Sequence, residues 1–146
     1  MVFRLFIDKD CQEEVIARVR ERTPLIDEIE RLVSQDSITD QLSGYLDDEI
    51  TMLSIGEIEC FVVENEKTFA LYRDKKRYLV QKRLYELEEI LPGNFERISK
   101  SAIANWKKIS KFKVQLSGAV DAVFKSGYVE CVSRRCFAQL KRRYGL

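Results

Sequence analysis

In the first quarter of the chain, an alternating spacing of apolar residues is followed by a helical spacing. Residues 2–7, VFRLFI, alternate so that Phe3, Leu5 and Ile7 share one face, which is the period of a short strand or of an apolar N-terminal segment. Residues 12–23, QEEVIARVRERT, permit a helix. The pattern therefore predicts a small strand-and-helix extension at the N-terminus.

A second helix is predicted over residues 25–35. Thr23 is a candidate cap, Pro24 suits the first helical position, and one face collects Leu25, Ile29, Leu32 and Val33. The opposite face is acidic. Because an amphipathic helix buries its apolar face, we expect this one to pack on the body of the domain, with a second copy of the chain as the alternative.

From about Leu42 the pattern changes to short strands separated by turn residues. LSGYLDDEITML predicts two strands about an Asp-Asp turn, and the meander that follows breaks at residues 64–66 and 74–76. Ser54 and Glu57 are spaced like a capping box ahead of one helical turn. Short strands separated by turn residues are typical of an antiparallel β protein.

The second half of the chain repeats the strand pattern between two short helices. KRLYELEEILPG places leucines at helical spacing before Pro92 and Gly93 end the helix. KISKFKVQL, AVDAVF and YVECVS predict a second meander with turns at residues 117–118 and 126–127. RRCFAQLKRRYGL predicts a C-terminal amphipathic helix with Phe137 and Leu140 on its apolar side.

Composition narrows the class of protein. The 146 residues suit one compact domain with a small appendage, and the N-terminus carries acids where a signal peptide would be apolar, so we expect a cytoplasmic protein. The chain has 4 cysteines at scattered positions and no histidine, which disfavours a metal site, a cofactor site and histidine-based catalysis. We therefore expect no enzyme and no small-molecule substrate.

Charge is divided unequally between the two halves of the chain. Residues 1–64 hold 6 basic against 16 acidic side chains, whereas residues 65–146 hold 19 against 8, so the total of +1 conceals opposite charges. Such a split indicates one segment that faces a polyanion and one that does not. A solvated surface with an accidental gradient is the plainer interpretation.

The basic half contains the stretch FERISKSAIANWKKI, with four basic residues and one acid. Together with GEIECFVVENEKTFAL, RLYELEEILPG and GYVECVSRRCFAQLKRRYGL, in this order and spacing, it resembles the LytTR-type DNA-binding domain of bacterial transcription regulators. The resemblance covers residues 42–146 and leaves residues 1–41 as an acidic extension. The absence of a recognisable phosphoacceptor domain resembles the stand-alone members of that family.

The resemblance implies a mainly β fold, an elongated antiparallel β-sandwich of small stacked sheets with a few short helices. It also implies that inter-strand loops read double-stranded DNA, without a recognition helix. Carried over by position, these loops lie near Lys67, at residues 99–105 and at residues 133–135. Lys100 and Arg135 are the positions we expect to matter most.

Side-chain chemistry agrees with these positions. Arginine can bond guanine O6 and N7 with two donors, and Arg134 and Arg135 would face opposite ways in a strand, so we assign base contact to Arg135. Donors suited to phosphates or base edges are Arg97, Ser99, Lys100 and Ser101, and a phosphate-tracking role is expected for Lys107 and Lys108.

Two residues of this stretch have open interpretations. The Asn105 amide could contact adenine or a phosphate, but the turn preference of asparagine favours a structural role. Trp106 could stack on bases, although a lone aromatic among apolar positions is more often part of the core. The solvent-exposed pair Arg134 and Arg135 could also be a basic strand end without a ligand.

The sequence therefore predicts a DNA-binding transcriptional regulator that occupies promoter repeats as a homodimer. The alternative is a regulatory interaction module whose acidic N-terminal half binds a partner protein. Stand-alone family members are often encoded beside a small membrane protein that restrains them, so the resemblance implies such an inhibitor as a candidate partner. A redox input through Cys131 and Cys136 is conceivable, with buried structural thiols as the expected case.

Overall fold

Ten strands and three helices make up the part of the chain that the computed structural model describes, residues 1–11, 14–36 and 40–146. The helices are α1 (Pro24–Asp36), α2 (Leu84–Ile90) and α3 (Arg134–Tyr144). The strands are β1 (Gln41–Leu46), β2 (Glu49–Ser54), β3 (Ile58–Glu64), β4 (Lys67–Tyr72), β5 (Arg77–Val80), β6 (Phe95–Ser99), β7 (Ala102–Asn105), β8 (Ile109–Val114), β9 (Val120–Phe124) and β10 (Val129–Val132). Single 3-10 turns occur at Ile55–Glu57 and Trp106–Lys108. None of the helices in these ranges is long and apolar enough to span a membrane.

The strands form two antiparallel sheets of unequal size. The larger has seven strands in the order β2-β1-β5-β4-β3-β7-β6, and the smaller has the order β10-β9-β8. The mainly β, antiparallel fold that the resemblance implied is thus confirmed, although the strands gather into one large and one small sheet. β2 and β6 are the edge strands of the large sheet.

Two apolar clusters hold the sheets and helices together. One lies beneath α2 and centres on Leu53, Ile58, Phe61, Leu87 and Ile103. The other lies between the sheets and α3 and centres on Cys60, Ile98, Ala104, Phe124 and Leu140. Gly44 of β1 is tightly packed, because an added Cβ would lie 2.7 Å from both Leu53 Cδ1 and Tyr78 Cβ. Any larger residue at this position would push two core side chains aside.

A buried carboxylate also connects the sheets. Glu59 of β3 is almost fully buried, and its oxygens accept hydrogen bonds from the Ser126 backbone N at 3.1 Å and from Ser126 Oγ at 2.6 Å. Ser126 belongs to the turn between β9 and β10. Charge-assisted bonds of this kind fix the small sheet against the large one.

The N-terminal extension differs from its prediction. Residues 2–7 form no strand, which leaves the other predicted alternative, an apolar N-terminal segment. Residues 14–20, whose sequence permits a helix, form none, and residues 12–13 lie outside the described residues. A strand needs a neighbour to satisfy its backbone groups, and no described strand lies beside residues 2–7. The prediction of α1 is confirmed, but its apolar face is largely exposed at Leu25, Leu32 and Val33.

The predicted strands and turns of the domain are mostly confirmed. β1 and β2 meet about the Asp-Asp turn, the breaks near residues 65 and 75 are present, and β8, β9 and β10 are separated at the predicted turns. Two corrections apply. The helical turn after Ser54 exists, but within the described residues the Ser54 side chain makes no capping hydrogen bond. Residues 99–105, expected to be a loop, are mostly the end of β6 and the whole of β7.

Candidate nucleic-acid interface

The β3–β4 turn and the β6–β7 turn lie side by side at one end of the large sheet. β7 pairs with β3 so that Ala102 lies opposite Val62, and the Val63 backbone N donates to Ser101 O at 2.8 Å. Lys67 starts β4 opposite Glu64, just beyond Asn65 and Glu66, and its side chain is exposed. The structure therefore brings Lys67 next to the Lys100–Ser101 turn.

The start of α3 joins the same end through a second backbone bond. The Ser133 N donates to Ile98 O at 2.8 Å, and Ser133 Oγ caps the helix by accepting from the Cys136 N at 3.2 Å. The β3–β4 turn, the β6–β7 turn and the start of α3 are distant in sequence but therefore lie in one row. We call this row the turn surface; it consists of Lys67, Ser99, Lys100, Ser101, Arg134 and Arg135.

Arg134 and Arg135 are the first residues of α3, which confirms the predicted C-terminal helix, so the argument that they would face opposite ways in a strand does not apply. Ser133 ends the extended segment because its side chain satisfies a free N–H group of the helix. Both arginines are exposed, and Arg134 Nη2 donates to Ser117 O at 3.1 Å. Arg134 is therefore tied to the β8–β9 turn, while Arg135 keeps all its donors for a ligand as far as the described residues show.

Arg97 is directed into the protein instead of toward a ligand. Its Nε donates to Ser99 O at 2.8 Å, its Nη2 donates to Lys100 O at 2.9 Å, and its Nη1 pairs with Glu88. A guanidinium group offers its donors in a fixed planar arrangement, which suits two neighbouring carbonyls. This arrangement makes Arg97 the residue that holds the β6–β7 turn in shape.

Asn105 is fully buried, with 0% of its surface exposed. Its Nδ2 donates to Ile58 O at 2.9 Å, and its Oδ1 accepts from Asn94 Nδ2 at 2.8 Å and from the Lys107 N at 3.1 Å. The side chain therefore caps the 3-10 turn after β7 and connects it to β3. Of the two open interpretations, this geometry favours the structural one.

Lys107 and Lys108 lie at the other end of β7 from Lys100. β7 separates Ser101 from Asn105 by roughly 13 Å at the rise of an extended strand. Lys107 is exposed, and Lys108 Nζ lies 3.2 Å from Glu57 Oε2. The structure thus does not bring these two lysines into the turn surface.

Trp106 belongs to an aromatic cluster between the small sheet and α3. Its ring stacks on Tyr144 with 4.0 Å between centroids and an interplanar angle of 11°. Phe112 lies 5.8 Å from Trp106 and 5.5 Å from Phe137. The indole is therefore engaged in packing, as a core residue would be.

Charge at the turn surface is largely uncompensated. Among the residues that the structure describes, Lys67, Lys100 and Arg135 have no carboxylate within 4.0 Å. Exposed cations without partners are the groups that phosphates attract. The resulting surface combines cations, hydroxyl groups and a helix start on rigid strands.

The place of the β8–β9 turn beside the turn surface was not predicted from the sequence. Its Ser-Gly pair at residues 117–118 was recognised as a turn, but its position beside Arg134 depends on how the small sheet packs. Gly118 has a φ of 86°, which favours glycine and lets the chain reverse close to the arginine.

Cysteine chemistry plays no visible part at this end of the molecule. Cys60 is fully buried, and burial raises the pKa of its thiol well above the ordinary value. Cys131 is exposed and Cys136 is half-buried, and both are free thiols, so the expectation of a buried structural thiol is wrong for Cys131. Within the described ranges, no group of three or more candidate ligands could hold a metal ion.

Comparison with known proteins identifies relatives of this arrangement. The family model of the LytTr DNA-binding domain matches residues 48–145. A Staphylococcus aureus protein (strain bovine RF122 / ET3-1) named an uncharacterized HTH-type transcriptional regulator is 36% identical over 105 residues, 72% of this chain and 71% of that protein. A protein with the same type of name from strain MSSA476 is 29% identical over 147 residues, 100% of this chain and 99% of its own length.

Among solved structures, a LytTr DNA-binding domain from Bacillus cereus has a TM-score of 0.69. The match covers 74% of this chain and 99% of that domain at 16% identity, a level that supports likeness of fold alone. The helix-turn-helix named for the relatives has no counterpart in the described part of this chain. There α1 is followed by β1, α2 lies between β5 and β6, and α3 comes last.

Proposed function

The chain belongs to the LytTR family of DNA-binding domains, and we propose on that basis that it is a transcriptional regulator that binds double-stranded DNA sequence-specifically through the turn surface. One observation carries the proposal. Hydrogen bonds join three separate segments into one row that contains Lys67, Lys100 and Arg135, three cations without a described carboxylate partner. Such a row suits a ligand that carries regularly spaced negative charges.

Different members of the turn surface suit different parts of a duplex. Arg135 retains its planar set of donors and is assigned to a base edge, where one good bidentate contact contributes about 1 to 3 kcal/mol of discrimination. Lys100 projects from the tip of the adjacent turn and is the second residue that we assign to bases. Lys67 and Arg134 are assigned to phosphates, which position the protein without reading sequence.

The hydroxyl groups of the β6–β7 turn complete this set. Ser99 Oγ and Ser101 Oγ lie 3.4 Å apart, and the Ser101 N donates to Ser99 Oγ at 3.3 Å. Small side chains at this position let the backbone approach a phosphate closely. Arg97 and Asn105 act from within the fold, since their polar atoms are already bonded to protein groups.

Lys107 and Lys108 remain candidates for a second contact with the same duplex. They lie beyond the far end of β7, so any phosphate that they meet would be roughly 13 Å from the base-reading turn by strand geometry.

We also propose that two copies of the protein occupy neighbouring repeats in a promoter.

A second candidate function is a protein-interaction module that uses the N-terminal part of the chain, with a membrane-bound inhibitor as one possible partner. The observation that favours it is the exposure of apolar residues in that part, from Phe3 to Val33. The two functions are compatible because the turn surface and the extension contain different residues.

The proposed function is tested by binding of the purified protein to duplex DNA from upstream of its own gene, with unrelated duplex as competitor and salt as the variable. We expect preference for the upstream duplex and a log–log salt slope of about −0.9 per phosphate contacted. Arg135→Ala and Lys100→Ala should each weaken specific binding about 5- to 100-fold, consistent with the loss of one base contact. Lys67→Ala should weaken binding to all duplexes and reduce the slope by about 1.

Lys76→Ala is the matched control. Lys76 is an exposed lysine in the β4–β5 turn, at the opposite end of β4 from Lys67. We expect it to leave affinity unchanged. Absence of salt-dependent binding to any duplex would refute the proposed function, and equal effects of Lys76→Ala and Arg135→Ala would refute the assignment to the turn surface.

A further inference from the structure

The N-terminal extension exposes far more apolar surface than the rest of the protein. Among the residues whose burial the structure describes, 19 large hydrophobic residues are exposed, and 12 of them lie in residues 1–33, which are less than a quarter of the chain. Val2, Phe3, Leu5, Phe6 and Ile7 are 69% to 87% exposed. Monomeric soluble proteins rarely leave a contiguous apolar run of this kind in water, so a partner is expected to cover it.

The fold of the domain does not depend on this extension. The solved Bacillus cereus domain reaches the same fold with a match that covers 99% of its own chain and only 74% of this one. In contrast, the full-length Staphylococcus aureus relative aligns over 100% of this chain. The extension therefore accompanies the domain as a separate feature.

A second unpartnered feature lies on the large sheet. β2 is an edge strand whose only described neighbouring strand is β1, so one side of its backbone has no strand partner, although the Ser54 N at its end donates to Tyr72 Oη at 3.2 Å. Its residues Ile50 and Met52 are 65% and 54% exposed and share one face. Edge strands are usually protected by charges or proline, yet here Glu49 is the only charged residue of the strand.

The face of β2 that carries Ile50 and Met52 continues onto β1. Ser43 and Tyr45 of β1 pair with Met52 and Ile50, so the four side chains share one face. A groove of about 500 Å³ lies behind Met52, between β1, the end of β5 and α2. The face beside the free edge of β2 therefore consists of Ile50 and Met52.

We propose that residues 2–7 of one chain add as a strand to the β2 edge of a second copy of this chain, which does the same in return. The segment VFRLFI has the six-residue length of β2, and Phe3, Leu5 and Ile7 would share the face that carries Ile50 and Met52. Backbone bonds would satisfy the edge, and the apolar side chains would leave water. A two-fold exchange closes the assembly as a dimer.

In the single chain the segment does not cover its own β2 edge. α1 lies against the β6 side of the large sheet, where the Arg31 side chain contacts Gly93 and a shallow cleft includes Arg143. β6 and β2 are opposite edges of that sheet. In the single chain residues 1–11 are all exposed, and the hydrogen bonds described for them stay within the segment.

The area is sufficient for a stable dimer. Phe3, Leu5 and Ile7, which share the face toward β2, provide on the order of 400 Å² of apolar surface per segment. Two exchanged segments, together with the edges that they cover, exceed the roughly 1,000 Å² expected of a specific interface. The proposal is independent of DNA binding because none of these residues belongs to the turn surface.

The mass of the protein in solution, measured by light scattering after size-exclusion chromatography and by sedimentation equilibrium, tests this proposal. We expect the full chain to be a dimer. We expect a chain lacking residues 2–7 to self-associate at least about tenfold more weakly than the full chain. We expect the same of the double variant Ile50→Lys with Met52→Lys. Both changes affect exposed residues, so circular dichroism should show an unchanged fold. Val129→Lys, an exposed aliphatic on β10, is the matched control and should remain a dimer.

Mixing the two defective proteins identifies the exchange. One retains an intact β2 edge and the other an intact segment, so an equimolar mixture should form a heterodimer although neither forms a dimer alone. A monomeric full chain would overturn the proposal and would favour addition within one chain or another partner. A dimer that survives the β2 substitutions, or a mixture that stays monomeric, would also overturn it.

Discussion

Replacement of Asn105 by alanine distinguishes the two functions that its position allows. The side chain is wholly buried and makes hydrogen bonds to the backbone of β3, to the Lys107 N and to Asn94. Alanine removes all of these at once and leaves the protein groups in place. If the residue acts within the fold, the cost appears in the free energy of unfolding.

The magnitude follows from the groups that lose their partner. Ile58 O would lose its buried partner, and a buried unsatisfied group costs about 1 to 3 kcal/mol. Loss of the cap on the half-buried Lys107 N adds about 1 kcal/mol. We therefore expect Asn105→Ala to lower the free energy of unfolding by about 3 kcal/mol. For a chain of this length, about 2 to 4 °C per kcal/mol gives a fall in Tm of roughly 6 to 12 °C.

Urea denaturation followed by circular dichroism measures this loss, and Asn94→Ala is the matched control. Asn94 contributes a single side-chain bond from a half-buried position, so its replacement should cost only about 1 kcal/mol. DNA affinity of Asn105→Ala, measured well below its Tm, should equal that of the wild type. A stability loss under about 1 kcal/mol accompanied by a tenfold loss of affinity would refute the structural role and assign Asn105 to the DNA.

Three further predictions concern other side chains. Arg97→Lys keeps the charge but not the planar donors, so competition binding should show reduced preference for the specific duplex while the salt slope stays unchanged; a changed slope with intact preference would contradict the positioning role. Burial and the hydrogen bond to Glu96 raise the pKa of Tyr144 to about 12, so its contribution to stability is complete below about pH 10 and is lost as pH rises toward 12. Unfolding measured from pH 9 to 12 should therefore show a weaker pH dependence for Tyr144→Phe, and an identical profile would count against this. Cys131 should react with a thiol reagent far faster than Cys60 in the native protein, and equal rates would contradict the burial of Cys60.

Local signals in the sequence predicted most of the fold. Turn residues marked every break in the second meander, and leucine spacing marked α2, because both depend on residues that are close in sequence. β7 was missed because all four of its residues are buried, so the strand lacks the alternation of a half-buried strand. The opposite error occurred at residues 2–7, where alternation is present but the single chain provides no neighbouring strand.

The candidate site was predictable in part. The resemblance named the three segments, and the family match confirms the membership on which they rest. Their adjacency is a tertiary fact, since it depends on the bonds Val63–Ser101 and Ser133–Ile98. The sequence also could not predict that the Arg97 side chain bonds to protein groups, because it shows a cation but not the carbonyls that this cation meets.

β6 runs from the acidic helix α1 to the proposed binding surface. Gly93, just before β6, contacts α1, whereas Ser99 at the other end of β6 lies in the turn surface. The acidic helix and the unpaired cations are therefore held at opposite ends of one rigid strand. In the proposed function, a duplex that approaches the turn surface is attracted by Lys67, Lys100 and Arg135, while the acids of α1 lie toward the other end of β6. On this proposal the field of the protein orients it before contact, and the turns assigned to the DNA are already held in shape by Arg97 and by the cap at Ser133.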